Sequence, residues 1–426
     1  MGCKKTEGKH PRTRIMFGKS ITTFVNIVWL GAFMTTIVSA DMLFTDVTAS
    51  ANILHTHSHP SVEDYWQEDF SWMTGGAVAE DFDGDGWVDL YCLQGGNSPN
   101  LLYINQRDGT FLDEASTRGA ALTGPHIGTC AADFDSDGDI DLFISSSIAP
   151  HLLLLNDGSG AFTQSPQIFD QPGRGASSPS WGDTNNDGLL DLALGAWRRG
   201  DLGNTKIFRQ MATGKFNLHQ SLSNEWSFTP TFADFDSDRS PDLFLVADFT
   251  STTFFKNNGL GLLLPAKKND VQNGMGSAAG DFDSDGDLDL FITAIEGADV
   301  LGINWSIANG NRFLVNDGRG EFVDQTDHAG VRDGAWGWGA VCEDFDNDGD
   351  LDLYQVNGWP SSRPDSVILF NETPARLYEN LGSNQFQDIA AASGDEVELV
   401  GALLPTELAP AHRRPSPVSA PSRRSP

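Results

Sequence analysis

The chain has 426 residues, a formal charge of −32 and 39% hydrophobic residues. That is enough apolar material for a core, so the charge does not mean disorder. So acidic a surface repels nucleic acid and anionic membranes and leaves cations as the natural partners of its carboxylates.

Residues 1–40 stand apart. Lys4, Lys5, Lys9, Arg12, Arg14 and Lys19 precede an apolar run over 21–38, and Val38-Ser39-Ala40 offers small residues before Asp41. This is the layout of a secretory signal peptide. A start at Met16 would give it a more ordinary basic region. A signal anchor is the alternative, because the run is nearly long enough to span a bilayer. Removing 1–40 takes away six basic residues and one Glu, leaving −37. Cys92, Cys130 and Cys342 then remain, each on an expected strand beside an acidic loop. They read as buried free thiols rather than a disulfide scaffold.

From residue 81 an acidic motif recurs: DFDGDGWVDLY at Asp81, DFDSDGDIDLF at Asp133, DTNNDGLLDLA at Asp183, DFDSDRSPDLF at Asp234, DFDSDGDLDLF at Asp281 and DFDNDGDLDLY at Asp344. The intervals are 52, 50, 51, 47 and 63 residues. Between the copies lies a second motif, clearest in LLLLNDGSGAF (152–162) and FLVNDGRGEF (313–322), with weaker forms such as IFRQMATGKF (207–216). An Asn/Gly turn between apolar runs reads as a β-hairpin. Each unit therefore has four short strands: a small-residue strand such as 276–279, the acidic loop, an apolar strand such as 290–293, and the hairpin. Small residues suit the innermost strand, where sheets crowd a central axis. The period points to an all-β fold, a β-propeller in one domain over 41–395. A β-solenoid is the alternative, with a usually shorter repeat.

The loop reads D-x-D-x-D-G-x-x-D. Positions 1, 3, 5 and 9 bring carboxylates, and position 7 can bring a backbone carbonyl. Calcium takes six to eight hard oxygens, which alternate residues of a tight loop can supply, whereas magnesium demands octahedral geometry and retains waters. The glycine at position 6 allows the sharp turn. The loop is no EF-hand, since position 9 leads straight into a strand and no Glu closes it at position 12. Up to six calcium sites are expected. Four have a full carboxylate set: Asp81, Asp83, Asp85 and Asp89; Asp133, Asp135, Asp137 and Asp141; Asp281, Asp283, Asp285 and Asp289; Asp344, Asp346, Asp348 and Asp352. The third, Asp183, Asn185, Asp187 and Asp191, has one charge fewer. The fourth keeps Asp234, Asp236, Asp238 and Asp242 but has Arg239 for Gly and adds Pro241, so its backbone is expected to turn poorly and its site to be the weakest.

These motifs resemble the FG-GAP/VCBS calcium repeats of integrin α-subunit propellers. They are closer still to secreted and bacterial proteins related to cartilage acidic protein, which often end in an ASPIC/UnbV domain. LFTDVTASANILHTH (43–57) and GAWGWGAVCEDFDNDGDLDLYQVNGW (334–359) carry that likeness. The resemblance implies an extracellular propeller of seven blades, six of them clear and the last incomplete, with calcium in the loops and a role in adhesion or ligand binding. A seventh acidic loop is due near residue 395. The chain instead continues as a Pro/Ser/Arg-rich tail, 396–426, outside the repeat, and no ASPIC/UnbV segment is recognisable. A frameshift or truncation would produce such an end.

Candidate functional surfaces lie elsewhere. The spacing from first Asp to hairpin Asn (Arg209 in repeat three) is 24, 23, 26 and 23 residues in repeats one to four, then 35 and 36. The added residues contain Trp305 and Trp359, on the face opposite the acidic loops, where a ligand site or merely variable loops would fall. Arg199-Gly200-Asp201 forms an RGD triplet. His55, His57 and His59 alternate and would share one face of a strand, as a zinc or copper site would require. Asn304-Trp305-Ser306 and Asn371-Glu372-Thr373 are glycosylation sequons in a host that uses them. Trp336-Gly337-Trp338 reads as packing. No G-x-S-x-G, H-E-x-x-H or phosphate loop is present, so a binding module for a protein or glycan is expected rather than an enzyme. The rival readings are an extracellular enzyme acting on a polymer and a purely structural surface protein.

Overall fold

The computed structural model describes residues 42–54, 75–296 except for 97, 147–149, 168, 170–175, 198–203, 223–225, 270 and 272, then 309–358 and 373–393. The leader 1–40, the histidine triplet, the RGD triplet, Trp305, Trp359, both sequon asparagines and the 396–426 tail lie outside these residues.

Six four-stranded sheets, each strand paired with its sequence neighbour, form the blades of a β-propeller. Blade one is Gly76–Glu80, Asp89–Leu93, Leu101–Asn105 and Phe111–Asp113 (β1–β4). Blade two is His126–Ala132, Asp141–Ser146, Leu152–Asn156 and Phe162–Gln164 (β5–β8). Blade three is Ala176–Gly182, Asp191–Ala196, Thr205–Gln210 and Phe216–Leu222 (β9–β12). Blade four is Ser227–Ala233, Asp242–Ala247, Thr252–Asn257 and Leu263–Asn269 (β13–β16). Blade five is Gly274–Gly280, Asp289–Ala294, Arg312–Asn316 and Phe322–Asp324 (β17–β20). Blade six is Gly337–Glu343, Asp352–Asn357, Arg376–Asn380 and Phe386–Asp388 (β21–β24).

The first strands of successive blades pack on one another, which places them innermost. Gly276 shows why they are small: a Cβ there would collide with the Trp338 carbonyl of the next blade. The second strands β6, β10, β14 and β18 are buried at every residue. Blades cover both their faces, so these strands read as continuous apolar runs rather than alternating ones. The outer strands β8, β20 and β24 are only three residues long and bury just their first. Short edges resist pairing with other chains.

The phenylalanine at loop position 2 locks neighbouring blades together. Phe82, Phe134, Phe235 and Phe282 pack edge-on or tilted against Phe162, Phe216, Phe322 and Phe386 at the start of the next blade's outer strand, with ring centroids 5.7, 5.8, 5.7 and 6.0 Å apart. Burying each such ring is worth about 1.5–3 kcal/mol. Residues 42–54 lie against both ends of the blade series. Met42 packs on Leu377 and Ala390 of blade six, and the Ala51 carbonyl accepts from Phe111 N–H of blade one at 2.9 Å. Cys92, Cys130 and Cys342 form no disulfide among the described residues, and burial pushes the Cys92 and Cys342 thiols up to about 12. Trp336 and Trp338 are buried, as packing residues should be. Among the described residues no helix is long and apolar enough to cross a membrane.

Candidate metal centres

Each acidic loop joins the first and second strand of a blade, and its own carboxylates shape it. The position 1 carboxylate accepts from the N–H of positions 5 and 6, as in Asp85 to Asp81 (3.0 Å) and Gly86 to Asp81 (2.7 Å). The position 5 carboxylate accepts from position 7, as in Trp87 to Asp85 (2.8 Å) and Leu189 to Asp187 (3.0 Å). These bonds need left-handed backbone at positions 4 and 6. Ser136 has φ 62° and Asn347 φ 61°, with Gly138 at 103° and Gly349 at 108°. Small and amide residues tolerate that region best.

The fourth loop corrects one expectation. Arg239 at position 6 adopts φ 73°, and its N–H donates to Asp234 at 2.8 Å just as the glycine does in other loops. The backbone turns normally despite Arg239 and Pro241. Arg239 is exposed.

Positions 1, 3 and 5 converge. Within 4.8 Å of one another lie carboxylate oxygens of Asp81, Asp83 and Asp85; of Asp133, Asp135 and Asp137; of Asp234, Asp236 and Asp238; of Asp281, Asp283 and Asp285; and of Asp344, Asp346 and Asp348. In the third loop Asp183 and Asp187 flank Asn185, whose amide donates to Asp187 at 2.9 Å. Burial raises the carboxyl of Asp135, with Asp137 and Asp133 adding to it, and burial likewise raises Asp346.

Position 9 also does structural work that its spacing did not reveal. Asp89, Asp141, Asp191, Asp242, Asp289 and Asp352 accept the N–H of the third strand's last residue: Asn105 (2.8 Å), Asn156 (2.8 Å), Gln210 (2.9 Å), Asn257 (2.7 Å), Asn316 (2.9 Å) and Asn380 (2.9 Å). In repeat three that residue is Gln210, not Arg209, because Gln offers the side-chain amide that the place requires. The amide then ties blades together. Asn156, Gln210, Asn257, Asn316 and Asn380 donate to the position 2 carbonyls of the preceding blade, Phe82, Phe134, Thr184, Phe235 and Phe282, at 2.8, 3.0, 2.7, 2.7 and 2.9 Å. Burial pushes Asp141, Asp242, Asp289 and Asp352 up to about 7 and Asp89 up to about 6.

The residues fit a cation on an observation independent of spacing. Asp83 Oδ1, Asp133 Oδ1, Asn185 Oδ1, Asp281 Oδ1 and Asp344 Oδ1 are buried and accept no hydrogen bond. A buried oxygen left so costs roughly 1–3 kcal/mol. Asp141 Oδ2 and Asp242 Oδ2 at position 9 are likewise buried and unpartnered, so every loop carries at least one such oxygen, and a hard cation held by oxygens would satisfy it. The triplets can therefore hold metal ions.

The FG-GAP-like repeat family matches residues 81–144, 133–194 and 234–292. The chain is a β-propeller whose residues 81–194 and 234–292 match FG-GAP-like repeats. It resembles cartilage acidic protein 1: 27% identity to the human protein over 173 residues, covering 36% of this chain and 26% of that one. The mouse protein is 27% identical over 202 residues (42% and 30%), and that of Xenopus tropicalis 26% over 218 residues (48% and 26%). The matched stretches thus span less than a third of those relatives. Among solved structures, an Agrocybe aegerita lectin that recognises non-reducing terminal N-acetylglucosamine aligns over 74% of this chain and 79% of its own, at 17% identity and TM-score 0.48. A Bacillus licheniformis rhamnogalacturonan lyase aligns over 66% and 55%, at 13% identity and TM-score 0.39.

Proposed function

We propose that this chain is an exported calcium-binding propeller that recognises a protein or glycan ligand, as an adhesion or recognition module, through the face opposite its acidic loops. Calcium, when bound, supplies positive charge that relieves the repulsion within each triplet and fixes the loop. The calcium reading rests on the converging triplets and their orphaned oxygens. On the same reading the ring has a seventh position, held at its outer edge by residues 42–54.

The recognition reading is carried by Phe249. It lies in the connection after β14, on the opposite face, and stands 49% exposed with φ 54°. Its ring meets Trp226 edge-on at 5.5 Å and tilts toward Trp197 at 6.3 Å. Trp226 itself has φ 64°. Left-handed backbone at a bulky residue costs about 1–2 kcal/mol. Such strain concentrates at functional sites. Asp248 holds the cluster by accepting from Trp197 Nε1–H at 2.9 Å and from Phe249 N–H at 3.0 Å. Half-exposed aromatic faces backed by a rigid scaffold suit sugar rings or apolar side chains.

The test pairs binding with turnover. The secreted chain is screened on glycan and matrix-protein arrays and incubated with polysaccharides, beside Phe249→Ala and Trp226→Ala. Binding lost in both variants without any turnover supports the reading. Turnover that persists after calcium removal would instead make the chain an enzyme.

A further inference from the structure

The residue before the hairpin amide varies between blades: Ile104, Leu155 and Val315 are aliphatic, Arg209 and Lys256 cationic, and Glu379 acidic. It lies on the third strand, beside the acidic loop of its own blade. In blade four this residue reaches the triplet. The Lys256 ammonium meets Asp236 Oδ2, and the Asp236 side chain is only 3% exposed. Asp236 Oδ2 accepts no ordinary hydrogen bond, like the orphaned oxygens of the other loops. Here a cation of the chain itself stands at the Asp236 oxygen, while Asp242 Oδ2 of the same loop stays unpartnered. Asp236 Oδ1 is taken by Asp238 N–H at 3.3 Å.

Blade one provides the contrast. Arg118 pairs with Asp83 Oδ2 at 3.3 Å, and Arg107 with Asp85 Oδ2 at 2.5 Å. Asp83 Oδ1 nonetheless remains buried and unpartnered. Neither arginine takes Asp83 Oδ1.

We infer that the fourth loop carries its own cation, the Lys256 ammonium, in the place where the other loops take a divalent ion. This rests on the calcium reading of those loops. A divalent ion entering the fourth loop would have to displace the ammonium from a nearly buried carboxylate or bear its repulsion at close range. On this inference Lys256 neutralises part of the triplet in the place of the ion. Blade four is then held together whether or not calcium is present.

The test measures bound calcium per folded chain by titration calorimetry and melting in EDTA, for wild type, Lys256→Met, and Asp236→Asn with Asp238→Asn. Lys256→Met should bind one more ion per chain than wild type and melt lower in EDTA, the loss being recovered on adding calcium. The Asp236/Asp238 pair should leave wild-type stoichiometry unchanged. A fall of one ion in that pair, or no gain in folded Lys256→Met, overturns the inference. A wild-type chain that binds no calcium at all would sink the calcium reading instead. The EDTA melt then still decides for Lys256: a lowered melt supports a tethered cation, and an unchanged one rejects it.

Discussion

The Phe44 N–H donates to the Ser393 carbonyl at 2.8 Å, across 349 residues of chain. The same bond joins Phe111 to Ala51 (2.9 Å) and Phe162 to Arg118 (2.7 Å). In each case the acceptor lies seven residues beyond a phenylalanine in the preceding unit: Phe386, Phe44 and Phe111. Asp46 accepts from Thr48 N–H as Asp113 does from Ala115, and Asn52 (φ 60°) takes the left-handed turn of Gly119 (φ 74°). Residues 42–54 thus take the place of an outer strand and its turn between blade six and blade one. Removing the ring in Phe44→Ala should loosen this seam. Amide exchange at Phe111 is expected to quicken while the blade-four core, around Leu243, stays protected.

The hairpin amides are the second set of ties. Asn316 donates to Phe235 O at 2.7 Å and to Leu288 O at 3.0 Å, both from a buried side chain. Asn316→Ala strands these carbonyls, at roughly 1–3 kcal/mol for each acceptor left unpaired. Denaturant unfolding should show a lower midpoint of that order, with calcium binding in blades one and two retained.

Arg239 carries backbone strain where its counterparts are glycine. Arg239→Gly removes about 1–2 kcal/mol of left-handed strain, partly offset by glycine's greater freedom when unfolded. A net gain near ~1 kcal/mol is expected in chemical denaturation.

Asp248 gives a pH dependence separate from the acidic loops. Burial pushes its carboxyl up from 3.8 to about 7, against the opposing bonds from Trp197 and Phe249. Below the unfolded value both states are protonated. As pH rises from 3.8 through about 7 the unfolded state ionises first, so stability is lost across that window. Asp248→Asn keeps an acceptor for Trp197 and cannot ionise. It should melt above wild type at about pH 8 and close to it at about pH 4.

Much of this was legible because six copies expose a pattern that one copy would hide. The acidic loops, the small inner strands and the Asn/Gly hairpins could all be placed from residues alone. What stayed hidden has physical reasons. The outer-strand signature Phe-x-Asp recurs at Phe44, Phe111, Phe322 and Phe386, but it is only three residues long and lies far from the acidic motif. Gln210 was passed over for Arg209 because the amide, not the Asn identity, is what the position selects. Lys256 lies on a strand outside the loop motif, so its reach to Asp236 is set by strand pairing. The Asp at position 9 looks like its neighbours in sequence, and only the fold shows that it is buried and accepts the N–H of the third strand's last residue.

The central claim is that the triplets hold calcium and that calcium fixes the ring. Thermal unfolding of the chain, measured with EDTA and then with calcium alongside direct calcium titration, tests it most directly. Each site filled at a hundred times its dissociation constant adds about 2.7 kcal/mol. The account predicts several bound ions per chain and a melting temperature that climbs steeply with calcium and falls back with EDTA. A chain that binds no calcium and melts at the same temperature in both would contradict it.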